Sequence, residues 1–351
     1  MITLGVETSC DETSCSVLDS NPESQKILTN IISSQIKYHE PFGGVVPSIA
    51  AREHAINLPI VFNKSIRDIG INDINLISVT CGPGLISSLL AGVTFAKTLS
   101  WKYKIPIIGV NHLEGHVHSV FINRPDINVA EKNIYPQVCL IVSGGHTALY
   151  RIPKPGKYLT AGETLDDASG EAFDKISRIL GLGYPGGPAI SKAALSGEHG
   201  IFSLPRPMSK TKNYNFSFSG LKTSVLYLVK KISPSGNYSD LKKQTMADIA
   251  LEAQEAIVDV LTSKTIRLAK ETKVKSVIVA GGVSANERLR EEIISRAAKI
   301  NPPPLVLMPA PEFSTDNAAM IAMAGYHRYI NSRCGKFSWE KVKAEADLEL
   351  N

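Results

Sequence analysis

The sequence predicts an α/β protein built from two similar lobes. Three observations carry that expectation. Strand-like and helix-like segments follow one order, βββαβαβα, in each half. Each half opens on two apolar strands joined by a turn of small and polar residues. The 351 residues, 43% apolar and 20% charged, are an ordinary globular composition, long enough for two cores.

In the first half, Ile2–Thr8 and Ser14–Leu18 read as strands around the turn Ser9-Cys10-Asp11-Glu12-Thr13, and Ile27–Ser33 as a third strand. A helix is expected from about Ser48 to Asp68, kinked at Pro59 because proline lacks the N–H that an interior turn needs. Strand Leu76–Thr80, helix Ile86–Tyr103, strand Pro106–Val110 and a histidine-bearing helix follow. The second half restarts with strands Val138–Ser143 and Thr147–Ile152 around Gly144-Gly145-His146, then a short strand Lys157–Thr160. Helices are expected near 167–180 and 240–270, then strand Ser276–Ala280, helix Ala285–Ala298, strand Leu305–Met308 and helix Asp316–Ile330. The proline-bearing stretch 124–136 reads as the join. The expected lobes are therefore 1–130 and 131–351, the second with a basic insertion near 196–245.

Composition excludes several classes. No run of eighteen apolar residues exists, and the uncharged stretch 74–96 is broken by Gly82-Pro83-Gly84, so no membrane span is expected. Residue 2 already reads as strand, with no basic region and apolar core before it, so no secretory leader is expected. Cys10, Cys15, Cys81, Cys139 and Cys334 form no C-x-x-C pair, which suits reduced thiols and a cytoplasmic setting.

The chemistry concentrates in His112-Leu113-Glu114-Gly115-His116. Two histidines four apart share one helix face, so both imidazoles reach a single metal ion. The alternative is a helix that carries polar histidines. A zinc-protease helix reads H-E-x-x-H, with its Glu placed to activate a metal-bound water. Here Glu114 is rotated by roughly 200° from His112, away from such a metal. Gly-rich turns at 144–145 and 281–286 and the polar turn 9–13 fall at matching places. Their backbone N–H groups suit phosphate in a nucleotide cleft, although Gly turns are also purely structural. Net charge is +5, and Arg206 to Lys243 holds eight Lys/Arg against Asp240 alone, with Tyr214, Phe216, Phe218, Tyr227 and Tyr238 among them. Such a stretch suits phosphates and unpaired bases, or is a solvated surface with aromatic core positions.

Ten motifs in order now matter together: Gly5 to Thr13, Gly43 to Pro47, Gly82 to Leu85, His112 to His116, Val142 to Thr147, Asp166 to Lys175, Tyr184 to Pro188, Phe216 to Thr223, Ala280 to Asn286, and Ser314 to Asn317. On these the chain resembles the TsaD/Kae1/Qri7 family, on the bacterial TsaD side, within the actin-like ATPase (ASKHA) superfamily of two duplicated RNase H-like lobes around a nucleotide cleft. The resemblance implies transfer of a threonylcarbamoyl group from threonylcarbamoyl-adenylate to N6 of adenosine 37 in tRNAs reading ANN codons. It implies Asp316 as third metal ligand beside His112 and His116, its helix returning to the metal site, with one divalent ion, iron(II) ahead of zinc. In sequence alone Asp316 reads as the N-cap of the last helix.

The resemblance also implies nucleotide contacts at Ile141, Val142, Ser143, Gly144, Gly145, Asp174, Gly187, Ser191 and Asn286. Within that chemistry the Ser143 turn is a candidate oxyanion donor. Asp11 is the candidate base or water-orienting group, with Glu12 its rival. Lys210, Lys212 and Lys222 are candidate contacts to the tRNA anticodon loop. The implied partners are a TsaB-like paralogous subunit and a TsaE-like P-loop ATPase. Three other readings stand beside it: a metalloendopeptidase of O-sialoglycoproteins, against which Glu114 counts; a same-fold ATP-dependent kinase or chaperone, which needs no histidine pair; and a non-catalytic scaffold.

Overall fold

Two five-stranded sheets carry the chain in a computed structural model that describes residues 1–21, 25–127, 132–331 and 337–351. Cys334 and part of the expected join lie outside the described residues. The first sheet comprises β1 (Ile2–Glu7), β2 (Glu12–Asp19), β3 (Lys26–Ser34), β4 (Leu76–Gly82) and β5 (Ile107–Asn111), in the order β3-β2-β1-β4-β5. Its helices are α1 (Ile36–His39), α2 (Pro47–Ser65), α3 (Ile86–Tyr103) and α4 (His112–Ser119). β1 and β2 are antiparallel, and β4 and β5 run parallel to β1. Parallel neighbours need crossover helices, which α3 supplies between β4 and β5.

The second sheet comprises β6 (Gln137–Val142), β7 (Thr147–Lys154), β8 (Lys157–Glu163), β9 (Ser276–Ala280) and β10 (Leu305–Leu307), ordered β10-β9-β6-β7-β8. Read from the other edge, this is the same topology. Its helices are α5 (Ser169–Ile179), α6 (Gly186–Ala194), α7 (Ser219–Ile232), α8 (Lys243–Glu271) and α9 (Glu287–Ala297). Both sheets are RNase H-like, so the chain has the duplicated α/β plan of the actin-like fold. Of these helices α1, α6 and α7 were not foreseen. α7 lies within the expected basic insertion.

The chain divides into two compact units, Met1–Ala130 with Pro309–Asn351, and Glu131–Met308. The expected second lobe runs to residue 351, with its last helix returning to the metal site. Instead α10 (Ala318–Asn331) packs in the first unit, against β1, β2, β4, β5 and α4. Its reason is composition: residues 318–325 are Ala, Met, Ile and Gly, every one buried. In the core of the first unit, Leu4, Val6, Ile77 and Val79 pack with Leu58, Val93 and Ala96. In that of the second, Leu140 and Val279 pack with Phe173, Phe216 and Ile257. Among the described residues no helix is long and apolar enough to cross a membrane.

Candidate functional site

Strand β5 delivers the histidine helix. At its end Asn111 caps α4, its Oδ1 accepting from the backbone N–H of Leu113 (2.8 Å) and Glu114 (3.4 Å). All eight residues of α4 are buried. The one-turn spacing brings the His112 and His116 rings to 4.7 Å between centroids. Asp316 Oδ1 lies 3.5 Å from His112 Nε2 and 3.2 Å from His116 Nε2. One ligand atom from each of the three lies within 4.8 Å of the other two. Two ligands bound at about 2.1 Å to one ion sit about 3–3.5 Å apart, so this set fits a single divalent metal. His116 is wholly buried, and neither ring nitrogen makes a well-formed hydrogen bond. A metal on Nε2 would remove the cost of one such orphan. Glu114 points to Arg328 instead, at 3.4 Å, so the geometry offers no carboxylate in the zinc-protease position.

Asp316 does not cap the last helix. Asn317 does, its Oδ1 accepting from Met320 N–H at 3.1 Å, while the Asp316 carboxylate turns to the histidines. Two glycines let that helix seat. A Cβ on Gly5 would lie 2.1 Å from Ala318 O, and one on Gly115 would lie 2.7 Å from Ile321 Cδ1. The glycine inside the His-x-x-x-His stretch thus serves the approach of the helix that follows Asp316.

Sequence reasoning missed Glu7. Its carboxylate is wholly buried; Oε1 accepts from Ser9 N–H at 2.5 Å and Oε2 from Thr80 Oγ1 at 2.5 Å. Oε2 is also 3.2 Å from His112 Nδ1, which Ser9 Oγ approaches at 3.1 Å. A proton on Nδ1 pointing at Glu7 leaves the Nε2 lone pair for the metal, the usual carboxylate–histidine–metal arrangement. Burial pushes the Glu7 carboxyl up, but the adjoining His112 outweighs this and holds it below the usual range. Burial likewise opposes the His112 cation, and Asp316 and Glu7 together outweigh it and raise that pKa. At His116 burial wins and the pKa falls. The signal for Glu7 was a lone acid at the end of an otherwise apolar strand.

Asp11 sits in the β1–β2 turn and Glu12 opens β2, each partly buried. Burial, then the nearby Asp316 charge, raises Asp11. Burial raises Glu12 to about 7, with Asp11 and Asp316 adding to the shift and Ser34 opposing it. Both carboxyls are thus held above the usual range mainly by burial, with the Asp316 charge adding to each.

The second unit repeats the turn. Val142 pairs with Thr147, leaving residues 143–146 as the loop, where Ser143 N–H bonds His146 O at 2.8 Å. Hydrogen bonds then link the other predicted residues in series. Gly170 N–H bonds Ser143 O (3.1 Å), Asp174 Oδ1 accepts from Gly186 N–H (2.6 Å), and Ser191 Oγ donates to Gly187 O (3.0 Å). Asn286 Nδ2 meets both Ser191 Oγ and Gln254 Oε1 at 2.9 Å, while its Oδ1 caps α9 through Leu289 N–H. Ile141 and Val142 are fully buried strand residues, so only their backbone is of use to a ligand. The glycines divide in two. A Cβ on Gly170, Gly186 or Gly281 would strike backbone within 2.6 Å, whereas one on Gly144, Gly145 or Gly187 meets nothing within 4 Å. The first three serve packing, and the last three border open space.

Comparison with known proteins decides the family. The family described as TsaD, tRNA N6-adenosine threonylcarbamoyltransferase, matches residues 26–323. The chain belongs to that family. It is 50% identical to the tRNA N6-adenosine threonylcarbamoyltransferase of Thermosipho africanus over 331 residues, 94% of each chain. It is 45% identical to that of Fervidobacterium nodosum, covering 97% of each. Among solved structures, HypF from T. kodakarensis shares the fold at a TM-score of 0.57 and 14% identity, covering 93% of this chain and 47% of that one. The chain thus spans about half the length of HypF.

Against this TsaD family background the basic segment reads differently from its sequence. Phe216 and Phe218 are fully buried, stacked at 6.4 Å, and face no solvent, so they are core residues and cannot stack on unpaired bases. Lys222 is ion-paired to Asp167 at 3.3 Å and half-buried, and Arg206 pairs with Glu252. Lys210 and Lys212 are exposed. α8 holds this stretch from beneath: Lys264 Nζ donates to Thr211 Oγ1 (3.0 Å) and Asn213 O (3.2 Å), and Arg267 donates to Thr211 O (2.7 Å). Gln254, Lys264 and Arg267 were not foreseen, being polar residues within a long helix.

Proposed function

We propose that this chain transfers the threonylcarbamoyl group of threonylcarbamoyl-adenylate to N6 of adenosine 37 in tRNAs reading ANN codons, releasing AMP. The support is membership of the TsaD family, matched over residues 26–323, together with the meeting of His112, His116 and Asp316. In the reaction the exocyclic amine attacks the carbamoyl carbonyl carbon. A C–N bond forms, and the bond from that carbon to the phosphate oxygen breaks, with AMP taking the electron pair. His112, His116 and Asp316 would hold one divalent ion, iron(II) ahead of zinc, which when bound supplies a Lewis acid for threonylcarbamoyl oxygens.

The rest falls to the chain's own groups. Asp11 accepts the N6 proton or orients a water that does, and Glu12 is its rival, the higher pKa suiting general-base work near neutral pH. In the Ser143-Gly144-Gly145 turn the Gly144 and Gly145 N–H groups serve the developing oxyanion, the Ser143 N–H being bonded to His146 O. Asp174 takes the ribose hydroxyls, and Gly187, Ser191 and Asn286 border the nucleoside. Lys210 and Lys212 meet the phosphates around the anticodon loop, with the target base unstacked. A TsaB-like subunit and a TsaE-like P-loop ATPase are the proposed partners, and the cytoplasm is the proposed location.

The test is mass spectrometry of tRNA nucleosides from cells depleted of this chain and rescued with wild type or His112→Ala. Loss of threonylcarbamoyladenosine, restored by wild type alone, is expected. An unchanged level after verified depletion, with no redundant enzyme, rejects the assignment.

A further inference from the structure

The turn that carries Asp11 is fastened at three successive carbonyls, each by a different element. Ser9 O accepts from Leu85 N–H at 2.8 Å, at the start of α3. Cys10 O accepts from His54 Nε2 at 2.9 Å, from α2. Asp11 O accepts from Gln35 N–H at 3.1 Å, just after β3. Two of these donors are backbone groups, and only His54 is a side chain. It is wholly buried.

The hydrogen-bond partners fix the proton positions. Cys10 O can only accept, so His54 Nε2 carries hydrogen. Nδ1 then accepts, from Thr13 Oγ1 at 2.8 Å and Gln35 Nε2 at 3.4 Å. Gln35 Oε1 in turn accepts from His39 Nε2 at 3.2 Å, and His39 Nδ1 accepts from Val46 N–H at 3.2 Å. Thr13, Gln35, His39 and His54 are all fully buried. One assignment satisfies every bond, with both rings neutral and every donor pointing the same way from Val46 to Cys10. Burial, which outweighs the nearby carboxylates, lowers the His54 pKa and so favours the same neutral ring.

We infer that His54 is a positioning residue for Asp11: through Cys10 O it sets where the Asp11 carboxylate stands, with Gln35 and His39 fixing its tautomer from the 43–47 loop. This rests on the transfer reading and on Asp11's proposed role in it. Orientation of a reacting group is steep in distance, a displacement near 1 Å costing about a hundredfold in rate.

The experiment compares His54→Gln and His54→Asn with wild type in the reconstituted transfer reaction, each confirmed folded by circular dichroism and loaded with metal. Gln reaches the place of Nε2 and can donate to Cys10 O. Asn reaches only the place of Nδ1. His54→Asn should lose about 10- to 100-fold in kcat with KM for the adenylate donor unchanged. His54→Gln should recover most of that loss. On an Asp11→Ala background His54→Asn should have no further effect, since there is no carboxylate left to position. Equal losses in the two His54 variants, wild-type kcat in His54→Asn, or a full further loss on the Asp11→Ala background overturns the inference. Wild-type kcat in Asp11→Ala overturns it too, and marks the failure as that of Asp11's role rather than of the fastening.

Discussion

Glu7 and Glu12 lie five residues apart on one hairpin, and their surroundings give them opposite electrostatics. Beside His112 the Glu7 carboxyl is held below the usual range, whereas burial, with Asp11 and Asp316 nearby, raises Glu12 to about 7. Glu7→Gln keeps the shape but removes the charge that orients His112. The expected result is a loss of metal affinity of about 10- to 100-fold, read by titrating metal into the apoprotein. Unchanged affinity would leave Glu7 a buried acid of no consequence to the centre. For Glu12 the sign follows from linkage. Its folded pKa, about 7, exceeds the ordinary 4.5, so the fold favours the protonated acid. Metal-free protein therefore loses stability as pH rises from about 4.5 through 7. Glu12→Gln should melt like wild type at pH 4 and be more stable at pH 8, by roughly 1–3 kcal/mol before solvent screening trims it. Equal melting at both pH values would refute this. The meeting of His112 and His116 was legible from their spacing alone, because i and i+4 share a helix face. Asp316 was not, since no local pattern links it to residues some 200 positions earlier. Glu7 was not either, because a carboxylate's partner across a sheet leaves no trace in spacing.

At the level of elements, α6 begins with two adjacent glycines that do different work. A Cβ on Gly186 would lie 2.4 Å from Asp174 Cα, while Gly187 borders open space. Gly186→Ala should lower stability by about 1–3 kcal/mol, as forced overpacking does. Gly187→Ala should leave the melting temperature near wild type yet weaken binding of a non-hydrolysable adenylate analogue. Loss of stability in Gly187→Ala, with binding intact, would reverse the assignment. Long apolar-patterned elements were readable within a few residues; helix Ile86–Tyr103 and strand Ser276–Ala280 were matched to the residue. α6 and α7 escaped because glycine and proline open the first, and phenylalanines that look like a stacking surface precede the second. Those phenylalanines go to the core because apolar area gains more from burial than a solvated face would offer.

For the whole chain, the division into units has a direct corollary. Glu131–Met308 is one continuous stretch with its own sheet and core, whereas the first unit needs residues from both sides of it. A fragment covering 132–308 should fold and melt cooperatively by circular dichroism. A fragment ending at 127 should not, lacking the helix that covers β1, β2, β4 and β5. A cooperative melt of the shorter fragment would show α10 to be dispensable. Charge acts at this scale too. The net +5 is modest, and only Lys210 and Lys212 of the three proposed RNA contacts are exposed and outside an ion pair with Asp167. Changing both to Glu should weaken tRNA binding and flatten its salt dependence by about two phosphate contacts, with adenylate binding untouched. Equal tRNA affinity would move the RNA elsewhere. The lobe order was legible because duplication repeats a pattern. The resemblance implied the return of the last helix to the histidines, but that all of Pro309–Asn351 belongs with the first unit was not legible, since it depends on which surface a buried helix covers.

That return also governs timing on the ribosome. The two imidazoles emerge early, but the carboxylate that completes their ligand set is made about 200 residues later, a delay of about 10–40 s at ordinary elongation rates. Until then an ion met by the nascent chain has at most two of its three protein ligands and exchanges readily. On the proposed metal site, selection of the ion would therefore belong to the finished polypeptide, after the intervening unit has had time to fold.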